Sequence, residues 1–256
     1  MRKSPIRALA ALAVVLAAVA CGGGGERSAA PSPALSAAPA ADPGAVGSVA
    51  GTIRYTGSDD PDGAINMNAD PNCAILHQEP IETERVVKGA GDGLANVFVY
   101  VKSGVSGSYP APSEPVTLDQ KGCTYHPHVL GIQTGQQFIV KNSDETLHNI
   151  HAVPAVNDEF NQAQPFVNMT LERKFDKVEV MLPFKCDVHP WMSAHLGVLN
   201  HPFFAVTGAD GSFAIDKLPA GTYTVEAWHE HFGARTQEVT VTAGASADWS
   251  FDYAGS

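Results

Sequence analysis

The chain has 256 residues, with 16 Lys and Arg against 27 Asp and Glu and a formal net charge of −11. Such an acidic balance lacks the basic footprint of a nucleic-acid binder, and four cysteines are too few for a small scaffold held together by disulfides. The length accommodates one or two domains with cores of their own.

The first element in chain order is an export signal. Arg2, Lys3 and Arg7 precede the apolar run Ala8–Ala20, which ends at Cys21. A membrane-spanning helix takes about 20 residues, so this shorter run reads as a secretory leader over residues 1–20. Leu16-Ala17-Ala18-Val19-Ala20-Cys21 resembles a bacterial lipobox, which implies that Cys21 is lipidated and becomes the first mature residue. Ordinary cleavage near an Ala-x-Ala site is the alternative. Residues 21–48 open on Gly22–Gly25, continue in Ala, Pro and Ser, and read as a flexible tether. Loss of the leader removes three positive charges and no negative ones, taking the formal charge from −11 to −14. The expected location is the periplasm or the cell surface, with the lipid as the only membrane contact. There disulfides form, and a free thiol needs a reason to exist.

From residue 49 onward the pattern is that of short strands. Val49–Thr56, Ala95–Lys102, Gln137–Lys141, Lys177–Leu182, Phe203–Thr207, Ser212–Ile215, Thr222–Ala227, Gln237–Thr242 and Ala247–Asp252 are rich in Val, Ile, Phe, Tyr or Thr and bounded by turn formers. No long amphipathic helix interrupts them. The expected class is all-β, built from two small sandwiches. Asn157–Asn168 lacks a period and is expected to be a loop or a short helix.

Two segments carry the chemistry. Asn142–His151 contains His148 and Asn149, and Phe184–Met192 contains Cys186, His189, Pro190, Trp191 and Met192. One thiolate, two imidazoles and a thioether form the donor set of a blue-copper electron-transfer site. The Cys-x-x-His-x-x-Met spacing lets one short loop wrap three donors around an ion, with the remaining His arriving from an upstream strand. Zinc also accepts Cys and His; the Met points to copper. Pro190 stiffens the loop, Trp191 shields the ion from water, and Asn149 is placed to hydrogen-bond across the two segments, as residues around a metal site often do. His126 and His128 share a face if they lie in one strand. Together with His151 and His195 they offer donors for a second metal, though hydrogen-bonded or surface histidines are the plainer reading.

These segments resemble the cupredoxins. Tyr125-His126-Pro127-His128, then Gly135-Gln136-Gln137-Phe138-Ile139-Val140-Lys141-Asn142 and His148-Asn149 follow the approach to the first His ligand, and Cys186-Asp187-Val188-His189-Pro190-Trp191-Met192 is similar to the ligand loop of the amicyanin and plastocyanin branch. The resemblance covers Gly122–Leu199. It implies a Greek-key β-sandwich over residues 117–200, one type-1 copper ion, His148, Cys186, His189 and Met192 as ligands, a redox partner protein, and entry of the electron through an exposed edge of His189.

With Cys21 assigned to lipid and Cys186 to metal, Cys73 and Cys123 remain, and a disulfide between them is the natural pairing in an oxidising compartment. Two separate thiols are the alternative. The final part resembles the carboxypeptidase regulatory-like, transthyretin-related sandwich, on Phe203–Val225 with its Asp210-Gly211 and Pro219-Ala220-Gly221 turns. Its opening strands match Val49–Tyr55 and Gly93–Val101, far upstream. This implies a split sandwich, with its first strands and an irregular segment in 49–116, the copper domain in 117–200 and the remainder in 201–256. Two sequential domains are the alternative. No catalytic zinc signature such as His-Glu-x-x-His occurs, and four protein ligands leave no open position for a substrate, so no enzymatic activity is expected. The reading is an exported, membrane-tethered copper electron carrier. A copper storage or handling lipoprotein and a β-sandwich interaction module with a structural metal are the alternatives.

Overall fold

The computed structural model describes residues 44–57 and 63–254. The leader 1–20, Cys21 and most of the expected tether lie outside the described residues. The chain is all-β. Among the described residues the helical pieces are α1 (Pro71–Ala74) and a 3-10 turn at Ala90–Asp92, and no helix is long and apolar enough to cross a membrane.

The strands in order are β1 (Val46–Tyr55), β2 (Phe98–Ser103), β3 (Val116–Lys121), β4 (Thr124–His126), β5 (Val129–Gln133), β6 (Phe138–Asn142), β7 (His148–Ala152), β8 (Phe160–Gln164), β9 (Thr170–Arg173), β10 (Glu179–Lys185), β11 (Ser193–Leu199), β12 (Phe204–Val206), β13 (Ser212–Pro219), β14 (Gly221–His229), β15 (Gly233–Val241), β16 (Ser246–Asp248) and β17 (Phe251–Tyr253). β1 begins at Val46, three residues inside the segment read as tether. The run 247–252 breaks at Trp249-Ser250 into β16 and β17, both parallel to β1.

Two pairs of sheets face each other. In the first sandwich β13-β1-β16, with β17 also on β1, faces β12-β2-β14-β15. Their inward residues, among them Val49, Ile53, Val99, Val101, Ile215, Val225 and Val241, form one buried cluster. In the second, β4-β3-β6-β9 faces β5-β11-β10-β7-β8 across Leu118, Ile132, Phe138, Val140, Ile150, Leu182, Phe184 and Leu196. The first sandwich therefore takes strands from both ends of the described chain: β1 pairs with β13, β16 and β17, β2 with β12 and β14, and the second sandwich is formed entirely by what lies between.

The sandwiches stack through a third cluster of Phe98, Tyr100, Val129, Met181 and Leu199, with Phe204 and Trp228 against it. Gly131 and Gly197 allow this close approach: a Cβ at Gly197 would collide with the Phe98 ring, and one at Gly131 with those of Phe204 and Phe98. At the β12–β13 turn Gly211 has φ +74°, a conformation that favours glycine, and its Cβ would meet the Ile53 carbonyl.

Asn157–Asn168 contains a strand, β8, in place of the expected loop or helix. Its sequence, Phe-Asn-Gln-Ala-Gln, has little strand character, but register with β7 from His148↔Gln164 to Ala152↔Phe160 supplies the pairing. His126 and His128 do not share a strand face. Pro127, lacking an N–H, separates β4 from β5, leaving His126 exposed and His128 buried.

Candidate metal centre

β7, β10 and β11 are neighbours in one sheet. His148 opens β7, Cys186 follows the last residue of β10, and the loop 186–192 runs into β11. Pairing of β10 with β7, Lys185 opposite His151, carries the loop alongside the start of β7. The loop closes on itself, with the Met192 amide donating to the His189 carbonyl (3.0 Å) and the Cys186 amide to that of Met192 (3.3 Å). Asn149 ties it down: its Oδ1 accepts from the Asp187 amide (2.6 Å) and its Nδ2 donates to Asn161 Oδ1 on β8 (2.6 Å).

This folding brings three donors together. His148 Nδ1 and His189 Nδ1 are 2.9 Å apart, Cys186 Sγ is 4.0 Å from His189 Nδ1, and the donor atoms of the three residues all lie within 4.8 Å of one another. All three residues are at most 2% exposed. Met192, also buried, belongs to the same core cluster as Cys186.

The outer nitrogens decide the tautomers. His148 Nε2 donates to Asp144 Oδ2 (2.8 Å), and His189 Nε2 donates to Asp70 Oδ2 (2.9 Å). An ionised carboxylate only accepts, so Nε2 carries a proton in both rings. Burial pushes Asp144 up, but the His148 hydrogen bond and the amides of Cys123 and Gly122 outweigh it and hold the carboxyl below its usual range. Asp70 is held low by the His189 hydrogen bond and then by the Asn72 amide. Burial likewise raises the Cys186 thiol, yet the His148 and His189 rings and the amides of Asn149 and His189 bring it down to about 6. Both rings are displaced upward, their carboxylate and thiolate neighbours overcoming the burial that lowers them. Two inward Nδ1 atoms and a thiolate so close in a dry pocket need a proton or a metal cation among them. A soft, buried N₂S set, with Met192 in the same core cluster, fits copper, while carboxylates on the outer ring nitrogens fix ligand orientation as they do around many metal ions.

The exposed His189 edge expected from the sequence is absent. His189 is 1% exposed, and the irregular segment before β2 covers it. Asp70 caps α1, accepting from the Asn72 amide (2.8 Å), while Cys73 Sγ lies 3.5 Å from His189 Nε2. Cys73 and Cys123 form a disulfide with a sequence separation of 50, anchoring this cover. Trp191 packs on the His189 ring at 5.0 Å between centroids, and its Nε1 donates to the Cys123 carbonyl (2.9 Å). Pro190 is exposed. Cys186 is the free cysteine among the described residues.

The four remaining candidate histidines go to three places. The His126 ring meets Thr124 Oγ1 (2.7 Å). His151 bridges Asp187 Oδ2 (2.8 Å) and Glu159 Oε1 (3.0 Å). His128 and His195 lie together beside Glu230. Sequence reading missed Asp70 and Asp144. Asp70-Pro71 does carry a helix-start signal, but nothing local links it to His189.

Comparison with known proteins adds a family for the last part of the chain. Residues 193–253 match the carboxypeptidase regulatory-like domain. The matched stretch starts in β11 and takes in β12–β17, while β1 and β2 lie outside it. Comparison with curated protein sequences finds no match. Among solved structures, a proline-to-alanine mutant of amicyanin in its oxidised state is 21% identical, covers 33% of this chain and 81% of its own, and has a TM-score of 0.30. A purple cupredoxin from Nitrosopumilus maritimus is 20% identical over 32% of this chain and 98% of its own, with a TM-score of 0.29. A copper-containing nitrite reductase from Thermus scotoductus SA-01 is 22% identical over 39% of this chain and 25% of its own, with a TM-score of 0.29.

Proposed function

We propose that this chain is a type-1 copper electron carrier, exported and held at a bacterial membrane by lipid on Cys21, with one ion bound by His148, Cys186, His189 and Met192. The observation that carries the reading is the convergence of two Nδ1 atoms and one thiolate, all buried, with both outer ring nitrogens on carboxylates. Copper bound there supplies a one-electron couple. The protein's own part is to keep the donors in place through a change of charge. Asp144 and Asp70 hold the rings, Asn149 locks the loop to β7 and β8, and the Asn149 and His189 amides bond to the sulfur. Trp191 and the disulfide-anchored segment exclude water from the His189 side. Such fixed, dry surroundings keep reorganisation small. The acidic net charge, −11 for the full chain and −14 once the three leader cations are lost, favours a basic redox partner, whose approach is steered at low salt.

Addition of Cu(II) to the purified chain tests the reading. An intense visible thiolate-to-copper band, bleached by a reductant, restored by an oxidant and missing from Cys186→Ser, is the expected result. A colourless complex, or metal binding unchanged in Cys186→Ser, overturns it.

A further inference from the structure

A second cluster of metal-ligating side chains lies where the two sandwiches meet. His128 comes from the turn between β4 and β5, His195 from β11, and Glu230 from the residue after β14, so the cluster exists only once both sandwiches are assembled. β11 runs parallel to β5, and the His195 amide donates to the His128 carbonyl (2.8 Å). This sets the two rings 5.6 Å apart at 79°. The donor atoms of His128, His195 and Glu230 lie within 4.8 Å of one another.

The hydrogen bonds leave one donor of the cluster without a partner. His128 is 4% exposed, and its Nδ1 donates to the Ser193 carbonyl (3.0 Å), which turns Nε2 to Glu230 Oε1 (2.6 Å). A proton on Nε2 accounts for that one contact. It leaves His195 Nδ1 buried with no hydrogen-bond partner, 3.9 Å from the other oxygen of the same carboxylate. A buried nitrogen with nothing to bond is costly. Burial lowers the His195 ring to about 4, despite the nearby carboxylate, so at neutral pH the ring is uncharged, the form that ligates metals. Trp228 fixes the ring from behind at 5.0 Å between centroids. A cleft of about 140 Å³, lined by Glu84, His128, Trp191 and Glu230 among others, provides access.

We propose that His128, His195 and Glu230 bind a second metal ion, a divalent ion of the zinc or copper class. Two imidazoles and one carboxylate form a recurrent donor set for such ions, with room left for water. The site contains no thiolate, so it is spectroscopically separate from the Cys186 centre. It also binds the two sandwiches to each other, because the β4–β5 turn and β11 supply its imidazoles while the turn after β14 supplies its carboxylate.

The test counts metals on the full chain. Wild type is loaded with Cu(II), the Cys186 band is recorded, and Zn(II) is titrated and counted by mass spectrometry after desalting; a parallel arm uses Cu(II) alone. The expected result is one copper plus one zinc, or two coppers in the second arm. His195→Ala and the isosteric Glu230→Gln should each lose the second equivalent with the visible band unchanged. In Cys186→Ser the second equivalent should survive, which separates failure of this site from failure of the copper reading. If His195→Ala does not fold, Glu230→Gln and the zinc-dependent rise in the wild-type unfolding temperature still decide. A wild type that keeps no metal beyond the Cys186 centre in either arm, or a second equivalent that persists in Glu230→Gln, overturns the proposal.

Discussion

Asp70 offers the sharpest test of how the His189 side of the centre is held. Its Oδ2 accepts from His189 Nε2 at 2.9 Å, while its Oδ1 caps α1 through the Asn72 amide. Asp70→Asn removes the charge and keeps the cap, because Asn is as good an N-cap as Asp. A hydrogen bond to a charged group contributes about 1.5–3 kcal/mol against about 0.5–1.5 for a neutral pair, and a cation on Nδ1 makes the ring the stronger donor, so the substitution costs the bound state up to about 1–1.5 kcal/mol more than the metal-free one. At 1.36 kcal/mol per factor of ten, Cu(II) affinity should fall about tenfold. The negative charge favours the more highly charged oxidised ion, so its loss also raises the reduction potential, by at most about 60 mV if the whole tenfold falls on Cu(II). Chelator competition gives the affinity and voltammetry the potential, with the visible band serving as the control for an intact centre. An unchanged affinity together with an unchanged potential would refute the claim that Asp70 orients His189.

Three further outcomes follow from the packing. Cys73→Ser with Cys123→Ser should lower stability by about 4 kcal/mol in the chain-entropy treatment of a 50-residue closure, read by urea unfolding, and should expose the His189 side to solvent; an unchanged midpoint counts against the disulfide as the anchor of that cover. Gly197→Ala forces a Cβ into the Phe98 ring between the sandwiches and should cost about 1–3 kcal/mol, whereas Ala at exposed Gly244, where a Cβ meets no neighbour within 4 Å, should show only the penalty of its positive φ. His229 is fully buried with Nε2 unpartnered, and burial lowers it to about 4 against the pull of Glu230 and with the help of His231, His128 and His195. Its folded value lies below its unfolded one, so its contribution is complete above about pH 6.5 and is lost as pH falls toward 4. His229→Phe should therefore gain on wild type over that window, on the order of 3 kcal/mol at its acid end, and parallel stability curves would contradict the assignment.

Much of the fold was readable because its signals are local. Alternating apolar positions and flanking turns mark β1, β2, β6, β10 and β12–β15 within a residue or a few. β3, β4, β5, β7, β8, β9 and β11 were not among the expected runs: His148–Ala152 is largely buried although three of its five residues are polar, and Phe160–Gln164 is a strand because β7 lies beside it. For such segments sheet pairing and burial outweigh intrinsic preference.

The candidate centre divides the same way. By itself the sequence determined the kinds of donor and their order, since Cys186, His189 and Met192 share one loop and their chemistry depends on residue type alone. Only the tertiary structure decided what surrounds them. Asp70 lies 119 positions from His189, and His128 lies 102 from Glu230. No pattern along the chain encodes contacts at such separations. They arise when the disulfide folds the irregular segment over the loop and when the outer faces of two sheets meet across Phe98, Gly131 and Gly197. That packing replaced the expected open edge of His189 with a buried, carboxylate-held ring, and left His195 Nδ1 beside Glu230 with no partner.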